Sequence, residues 1–355
     1  MHPSRTTNRR DDAVAPACET PADSRAERAA RLHAAALVCD ITMPWHEEFL
    51  AQDARLDEVL ARVHGPGGVD MVSLTVAAVD GMHDTIRLLA KRRREIEGRP
   101  DLYRLVGSVA DIRAARAEGR LAVLLHFQGT HPFERNLDLI ALYYALGVRH
   151  ALLVYNERTL VGDGCHEPGN AGLSVFGRLV VAEMNRVGML VDVAHTGERT
   201  ALDAIAHSAA PVMISHVTPR ALFDHARNPS DDLIRAAAAS GGVIGINGVG
   251  LFNGADAQTM AARISEGMAH VAGLVGPRHV ALGSDFMYLE GSAYRWYYDR
   301  AYMYPAGYSE PPWLFVQPEQ LPRVTEELVR RGFSDAEIVG ILGENFLAMA
   351  QTVWR

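Results

Sequence analysis

Past residue 28 the chain alternates short apolar runs with longer stretches that carry an apolar residue every three or four positions. The short runs cover residues 36–39, 69–74, 121–125, 151–154, 189–193, 211–214, 242–246 and 280–283. Most are continuous rather than alternating, the pattern of strands buried on both faces of a parallel sheet. Between them, Leu139, Leu142 and Leu146 recur at helical spacing, as do Phe176, Leu179, Val180 and Met184. Eight strand candidates separated by helices predict an α/β fold. The count, and the recurrence of chemically capable residues after several separate runs, favour a closed (β/α)8 TIM barrel. An open doubly wound sheet would gather such residues at one switch point. Ser334-Asp335-Ala336-Glu337 is a capping-box pattern, so C-terminal helices should follow the last strand.

Composition adds limits. The chain has 355 residues, 48% hydrophobic and 22% charged, the mix of a globular protein. Residues 1–28 are polar and Arg-, Ser- and Pro-rich with no apolar core, which predicts a disordered leader ahead of a single domain over 29–355. The net charge of −8 argues against a nucleic-acid partner, and no apolar run reaches the length of a membrane span. Cys18, Cys39 and Cys165 form no CxxC pair; they read as reduced thiols of a cytoplasmic protein. Residues 286–315 carry nine Tyr and Trp side chains in a stretch too long for an ordinary loop. Either a wall over the barrel mouth or a subunit contact would use them.

The polar residues after the runs are the chemical candidates. The first run leads into Asp40-Ile41-Thr42-Met43-Pro44, the third into His126-Phe127-Gln128-Gly129-Thr130-His131 and the fourth into Tyr155-Asn156. The fifth, sixth and eighth lead to His195, His216 and Asp285. Strands that neighbour one another lie ~4.8 Å apart, so two histidines ending adjacent strands are close. Imidazole suits zinc, and a nearby Asp can bind the metal or take a proton from its water. Asp192 could brace His195 or point into a helix.

The stretches GMLVDVAHTG, PVMISHVTPRAL, RNPSDDLI, GGVIGING and HVALGSDF resemble the membrane (renal) dipeptidase family of metallopeptidases. The resemblance runs in order from about Leu37 to the C-terminal GENF segment. It implies a (β/α)8 barrel with two zinc ions bridged by hydroxide, hydrolysing dipeptides. By position it implies His195 and His216 as ligands of one zinc, Asp285 as acid/base near the bridging water, and Arg227 as the holder of the substrate carboxylate. Relatives in the family are often dimers, so a homodimer is expected.

The departures cluster. The family's His-x-Asp pair after the first strand falls on Thr42 and Pro44, leaving Asp40 as the nearby carboxylate. Its bridging glutamate falls on neutral Gln128, and a substrate-contacting histidine falls on Tyr155; Gly129 and His131 of that glutamate's motif remain. Two ions side by side need anionic ligands to offset their repulsion, so the first metal site is weakened. The expected centre is therefore one zinc rather than two, on His195 and His216 with Asp40 or Gln128. Asp285 would act as base, Tyr155 would donate to the oxyanion, and Arg227, Tyr155 and His131 would touch the substrate. Two alternatives stay open: another enzyme acting on a small carboxylate or amine compound, or an inactive binding homologue.

Overall fold

Eight parallel strands close into a barrel in the computed structural model, which describes residues 24–45, 55–288, 294–305 and 308–355. The strands are β1 (Cys39–Met43), β2 (Met71–Ala77), β3 (Tyr103–Leu105), β4 (Leu121–Phe127), β5 (Val148–Leu152), β6 (Leu190–Asp192), β7 (Val212–Val217), β8 (Ile244–Ile246) and β9 (Val280–Leu282). The ring runs β1, β2, β4, β5, β6, β7, β8, β9, and pairing of Asp40 with Leu282 closes it. Each of the eight apolar runs meets one ring strand. β3 lies outside the ring, paired with β4 alone; its three residues include Arg104 and left no apolar run to read.

Two boundaries differ from expectation. β1 begins at Cys39 and carries Asp40 and Thr42 inside the strand, and β5 ends at Leu152. The predicted leader lies outside the described residues up to 23, and its last residues start the helix Arg25–Ala35, closed by a capping box between Ser24 and Glu27.

The strands' alternation divides the core in two. Val72, Leu74, Val123, Leu125, Val191, Ile214 and Leu282 face the outer helices. Ile41, Met71, Leu124, Leu190, Met213 and Ala281 form a second cluster with Phe346, Leu347 and Ala350 of the helix Asn345–Val353, which plugs the lower end. Gly343 allows that approach, since a side chain there would collide with the Leu37 carbonyl. Apolar layers inside the strands make such a barrel a packed core, and burying its side chains is the dominant stabilising term at roughly 25 cal/mol per Å2. The Ser334–Glu337 capping box is present.

Two helices are rotated from the predicted face. In Asp138–Ala145 the buried residues are Leu139, Ile140 and Tyr143, with Leu142 exposed. Tyr143 wins because its ring packs edge-on against Phe127, 4.9 Å between centroids. In Val175–Val187, Leu179 is exposed and Val180, Val181 and Met184 are buried. No helix among the described residues is long and apolar enough to cross a membrane.

Candidate active site

The upper rim of the barrel brings together four of the expected residues. His216 lies in β7, and His195 sits three residues beyond β6. Their Nε2 atoms face each other at 3.0 Å. The other nitrogens are anchored: His195 Nδ1 lies 2.6 Å from Asn156 Oδ1, and His216 Nδ1 lies 2.7 Å from the Ser215 hydroxyl. Tyr155 stacks on His195 at 4.3 Å, with its hydroxyl 3.0 Å from that of Tyr304. Asp285 follows β9, tied by its backbone N–H to the Thr42 carbonyl.

Three of these rim residues, Asn156, His195 and Asp285, hold φ of 59°, 60° and 55°. L-residues reach this left-handed region at a cost of about 1–3 kcal/mol each, and such strain clusters at functional sites. Here it turns the chain sharply at the ends of three different strands.

Burial sets the charges. His195 and His216 are pushed well below the usual imidazole range by desolvation and then by the Arg227 guanidinium, so both stay neutral with a lone pair to offer. Asp285 is pushed up to about 8 by burial, opposed by Arg227 and reinforced by Asp40. Burial also raises the Tyr155 hydroxyl, keeping it a hydrogen-bond donor.

The expected remainder of the metal set is engaged elsewhere. Asp40 Oδ1 accepts from the Ser284 backbone N–H at 2.8 Å, and Oδ2 accepts from the Ser284 hydroxyl. Its carboxylate therefore braces β1 against the end of β9. The Thr42 hydroxyl donates to the Ile41 carbonyl, and Gln128 Nε2 donates to Thr75 Oγ1 at 3.1 Å. No cluster of three His, Cys, Asp or Glu side chains among the described residues could hold a metal ion. The described residues thus do not make up a two-ion centre. They do offer one imidazole pair: zinc–nitrogen bonds of about 2.0–2.1 Å at a tetrahedral angle would hold two Nε2 atoms about 3.3 Å apart, close to the spacing seen.

Two cavities border His195. The mouth cavity, about 50 Å3, is lined by Thr75, Gln128, Tyr155 and Asp285 and roofed by Trp296, Tyr297, Tyr304, Tyr308, Trp313 and Phe315. The aromatic segment thus forms a wall over the mouth; its residues 289–293 and 306–307 lie outside the described residues. A lateral cavity of about 440 Å3 lies on the other side, lined by Cys165, Glu167, Glu198, Arg220 and Arg227. Arg227 is buried, donates to the His216 carbonyl at 2.9 Å, and borders the lateral cavity rather than the mouth. His131 borders neither; it lines a separate cavity with Thr130, Glu134 and Arg158. Asp192 braces neither His195 nor a helix: it accepts from the backbone of Ala194 and Ser215 and faces His150 inside the barrel.

Sequence reasoning passed over Asn156 and Ser215 as anchors. The usable signal was modest: metal-binding or catalytic imidazoles are normally oriented through their second nitrogen, and both anchors adjoin residues already singled out.

Residues 73–295 match the family model described as Membrane dipeptidase (Peptidase family M19). Dipeptidase aclJ of Aspergillus oryzae is 32% identical over 273 residues, 75% of this chain and 60% of that protein. Dipeptidase verJ of Clonostachys rogersoniana is 28% identical, covering 78% of this chain and 67% of its own. The chain thus spans about 60% of the length of the first of these relatives. Among solved structures, an amidohydrolase from Pseudomonas aeruginosa superposes with a TM-score of 0.82 at 29% identity, covering 92% of this chain and 99% of its own. A metallopeptidase from Rhodobacter sphaeroides, liganded with a phosphinate mimic of L-Ala-D-Ala, shares the fold with a TM-score of 0.72 at 18% identity, over 90% and 99% of the two chains.

Proposed function

Because the chain belongs to the membrane dipeptidase family, we propose that it hydrolyses the amide bond of a dipeptide or similar small amide at the barrel mouth. The observation that carries this is the pair of neutral, anchored imidazoles, Nε2 to Nε2 at 3.0 Å, of which His195 lines the mouth cavity together with the buried Asp285 carboxyl. The scissile amide lies against His195, which borders both cavities. Its carboxylate reaches Arg227 on the lateral side, where a planar guanidinium suits a bidentate contact. Its apolar side chain lies under the aromatic wall. A 50 Å3 mouth is far below the few hundred Å3 of ordinary ligand sites, so the wall must shift outward to admit it.

Water is the nucleophile: ionised Asp285 takes its proton and returns it to the leaving amine nitrogen, while Tyr155 donates a hydrogen bond to the developing oxyanion. One zinc held by His195 and His216 is the centre that the donor set supports. When bound it would polarise the scissile carbonyl. Two nitrogens hold it more weakly than the usual three protein ligands.

The experiment is a panel of dipeptides with wild type, Asp285→Asn and His195→Ala. Wild type should release free amino acids, and each variant should be slower by at least a hundredfold. Hydrolysis that survives in Asp285→Asn at the wild-type rate refutes the assigned role.

A further inference from the structure

Below the mouth, the barrel interior holds a polar layer that the proposed chemistry does not use. Ser73, His126, His150 and Asp192 are fully buried and Thr75 is nearly so. They form one chain. Gln128 Nε2 donates to Thr75 Oγ1 at 3.1 Å, which meets His126 Nε2 at 2.9 Å. His126 Nδ1 meets Ser73 Oγ at 2.9 Å, and Ser73 Oγ meets His150 Nε2 at 2.8 Å. The two rings stack at 4.3 Å. At the far end His150 Nδ1 faces Asp192 Oδ2 at 3.4 Å, an ion-pair distance, and neither atom makes a hydrogen bond among the described residues.

The chain has one consistent direction. Asp192 Oδ1 already accepts two backbone N–H groups, so the carboxyl group serves as an acceptor here. His150 Nδ1 must then carry the hydrogen, leaving Nε2 as acceptor for the Ser73 hydroxyl. Ser73 accepts from His126 Nδ1–H, and His126 Nε2 accepts from the Thr75 hydroxyl. Thr75 can then only accept from position 128, so the Gln128 amide nitrogen points inward and its oxygen is left for the cavity. The reverse order would set a lone pair of His150 against the Asp192 carboxylate. Only a charged imidazolium, fully buried and stacked on a second ring, would avoid that, at a large desolvation cost.

We infer that Gln128 is a specificity residue, its amide oxygen held toward the mouth by this relay to accept a hydrogen bond from the amine of the substrate. Ser73, Thr75, His126, His150 and Asp192 are positioning residues. Where the resembled family has a metal-bridging carboxylate, this chain presents a neutral acceptor of fixed orientation. The claim about substrate rests on the dipeptidase reading; the claim about hydrogen positions does not.

Full-length protein labelled with 15N-histidine, assigned with His126→Asn and His150→Gln, reports the protonation of each imidazole nitrogen by long-range 1H–15N correlation. Each ring should carry its hydrogen on Nδ1 and none on Nε2. A hydrogen on Nε2 of either ring, or a doubly protonated His150, overturns the relay. Binding is read by calorimetry in the Asp285→Asn background with alanyl-alanine and with propionyl-alanine, which lacks the amine. The preference for alanyl-alanine should fall about tenfold in Gln128→Leu, the weight of one hydrogen bond, and partly in Ser73→Ala, with Ser73→Thr restoring it. Unchanged preference in Gln128→Leu overturns the specificity role. Failure of the parent protein to bind either compound overturns that role and the dipeptidase reading together, while the nitrogen spectra still decide the relay.

Discussion

Asn156 Oδ1 lies 2.6 Å from His195 Nδ1, and both residues hold left-handed backbone. One strained residue thus orients another. The contact places the hydrogen on Nδ1 and the lone pair of His195 on Nε2, facing His216, which is the form that can bind a metal or accept a proton. Asn156 Nδ2 also donates to the Met303 carbonyl at 3.3 Å, linking the imidazole to the aromatic segment.

Replacing Asn156 by glycine should therefore separate stability from activity. Glycine takes a φ near 59° without strain, which offsets part of the about 1–3 kcal/mol lost with the buried hydrogen bonds. The melting temperature should fall by only a few degrees. Dipeptide hydrolysis should fall about 10–100-fold, the usual cost of removing the partner that orients a ligating imidazole. Asn156→Ala, which keeps the strain and loses the bonds, should be the less stable of the two by thermal melt.

Asp285 makes stability depend on pH. Its folded pKa of about 8 lies above the 3.8 of the unfolded chain, so the folded state holds the proton more tightly. Between those values folding binds the extra proton, and stability falls as pH rises through the window. Below about pH 4 the term is absent, and above about pH 8 the full cost of the buried charge is present. Asp285→Asn should flatten the melting temperature between pH 5 and 9, and the variant's advantage should amount to a few kcal/mol at the alkaline end. An equal slope in both proteins would place the titrating group elsewhere.

Much of this was legible in the chain and some of it was not, for physical reasons. The barrel shows because strands buried on both faces must be continuously apolar, and all eight runs became ring strands. His195, Tyr155 and Asp285 show because strand ends carry chemistry in such barrels. The apolar run stops at Cys39 because Asp40 and Thr42 are polar, whereas β1 continues to Met43, so Asp40 lies inside the strand. Its partner Ser284 is 244 residues away, beyond the reach of any local pattern. Leu142 was misplaced because periodicity cannot weigh a leucine against Tyr143 packing on Phe127. The polar layer around His126 and His150 interrupts interior positions that otherwise read as ordinary strand.

Tyr155 stacks on His195 and pairs with Tyr304, so Tyr155→Phe keeps the stacking and removes the donor. Its kcat should fall about 10–100-fold while KM changes little, since a hydrogen bond that tightens in the transition state is lost from kcat. Tyr304→Phe should leave kcat within a few-fold. A rise in KM alone for Tyr155→Phe would make the hydroxyl a binding contact instead.

Asp40 offers the sharpest contrast between a ligand and a brace. As a ligand, its loss would weaken zinc binding; as a brace between β1 and Ser284, its loss would leave zinc binding intact. Asp40→Asn should keep both contacts, with the amide oxygen accepting from the Ser284 N–H and the amide nitrogen donating to the hydroxyl. Burial holds the Asp40 carboxyl at about 6, above its unfolded value of 3.8, so it too costs stability progressively as pH rises between those values. The asparagine should therefore be as stable as wild type near pH 4 and more stable above pH 6. Ser284→Ala removes the hydroxyl that stabilises the carboxylate, and should cost about 1–3 kcal/mol, most of it above pH 6. Calorimetric titration with zinc should give the same affinity for wild type, Asp40→Asn and Ser284→Ala, and a loss only in His195→Ala or His216→Ala. A tenfold weaker zinc affinity in Asp40→Asn would return the carboxylate to the metal site and refute the brace.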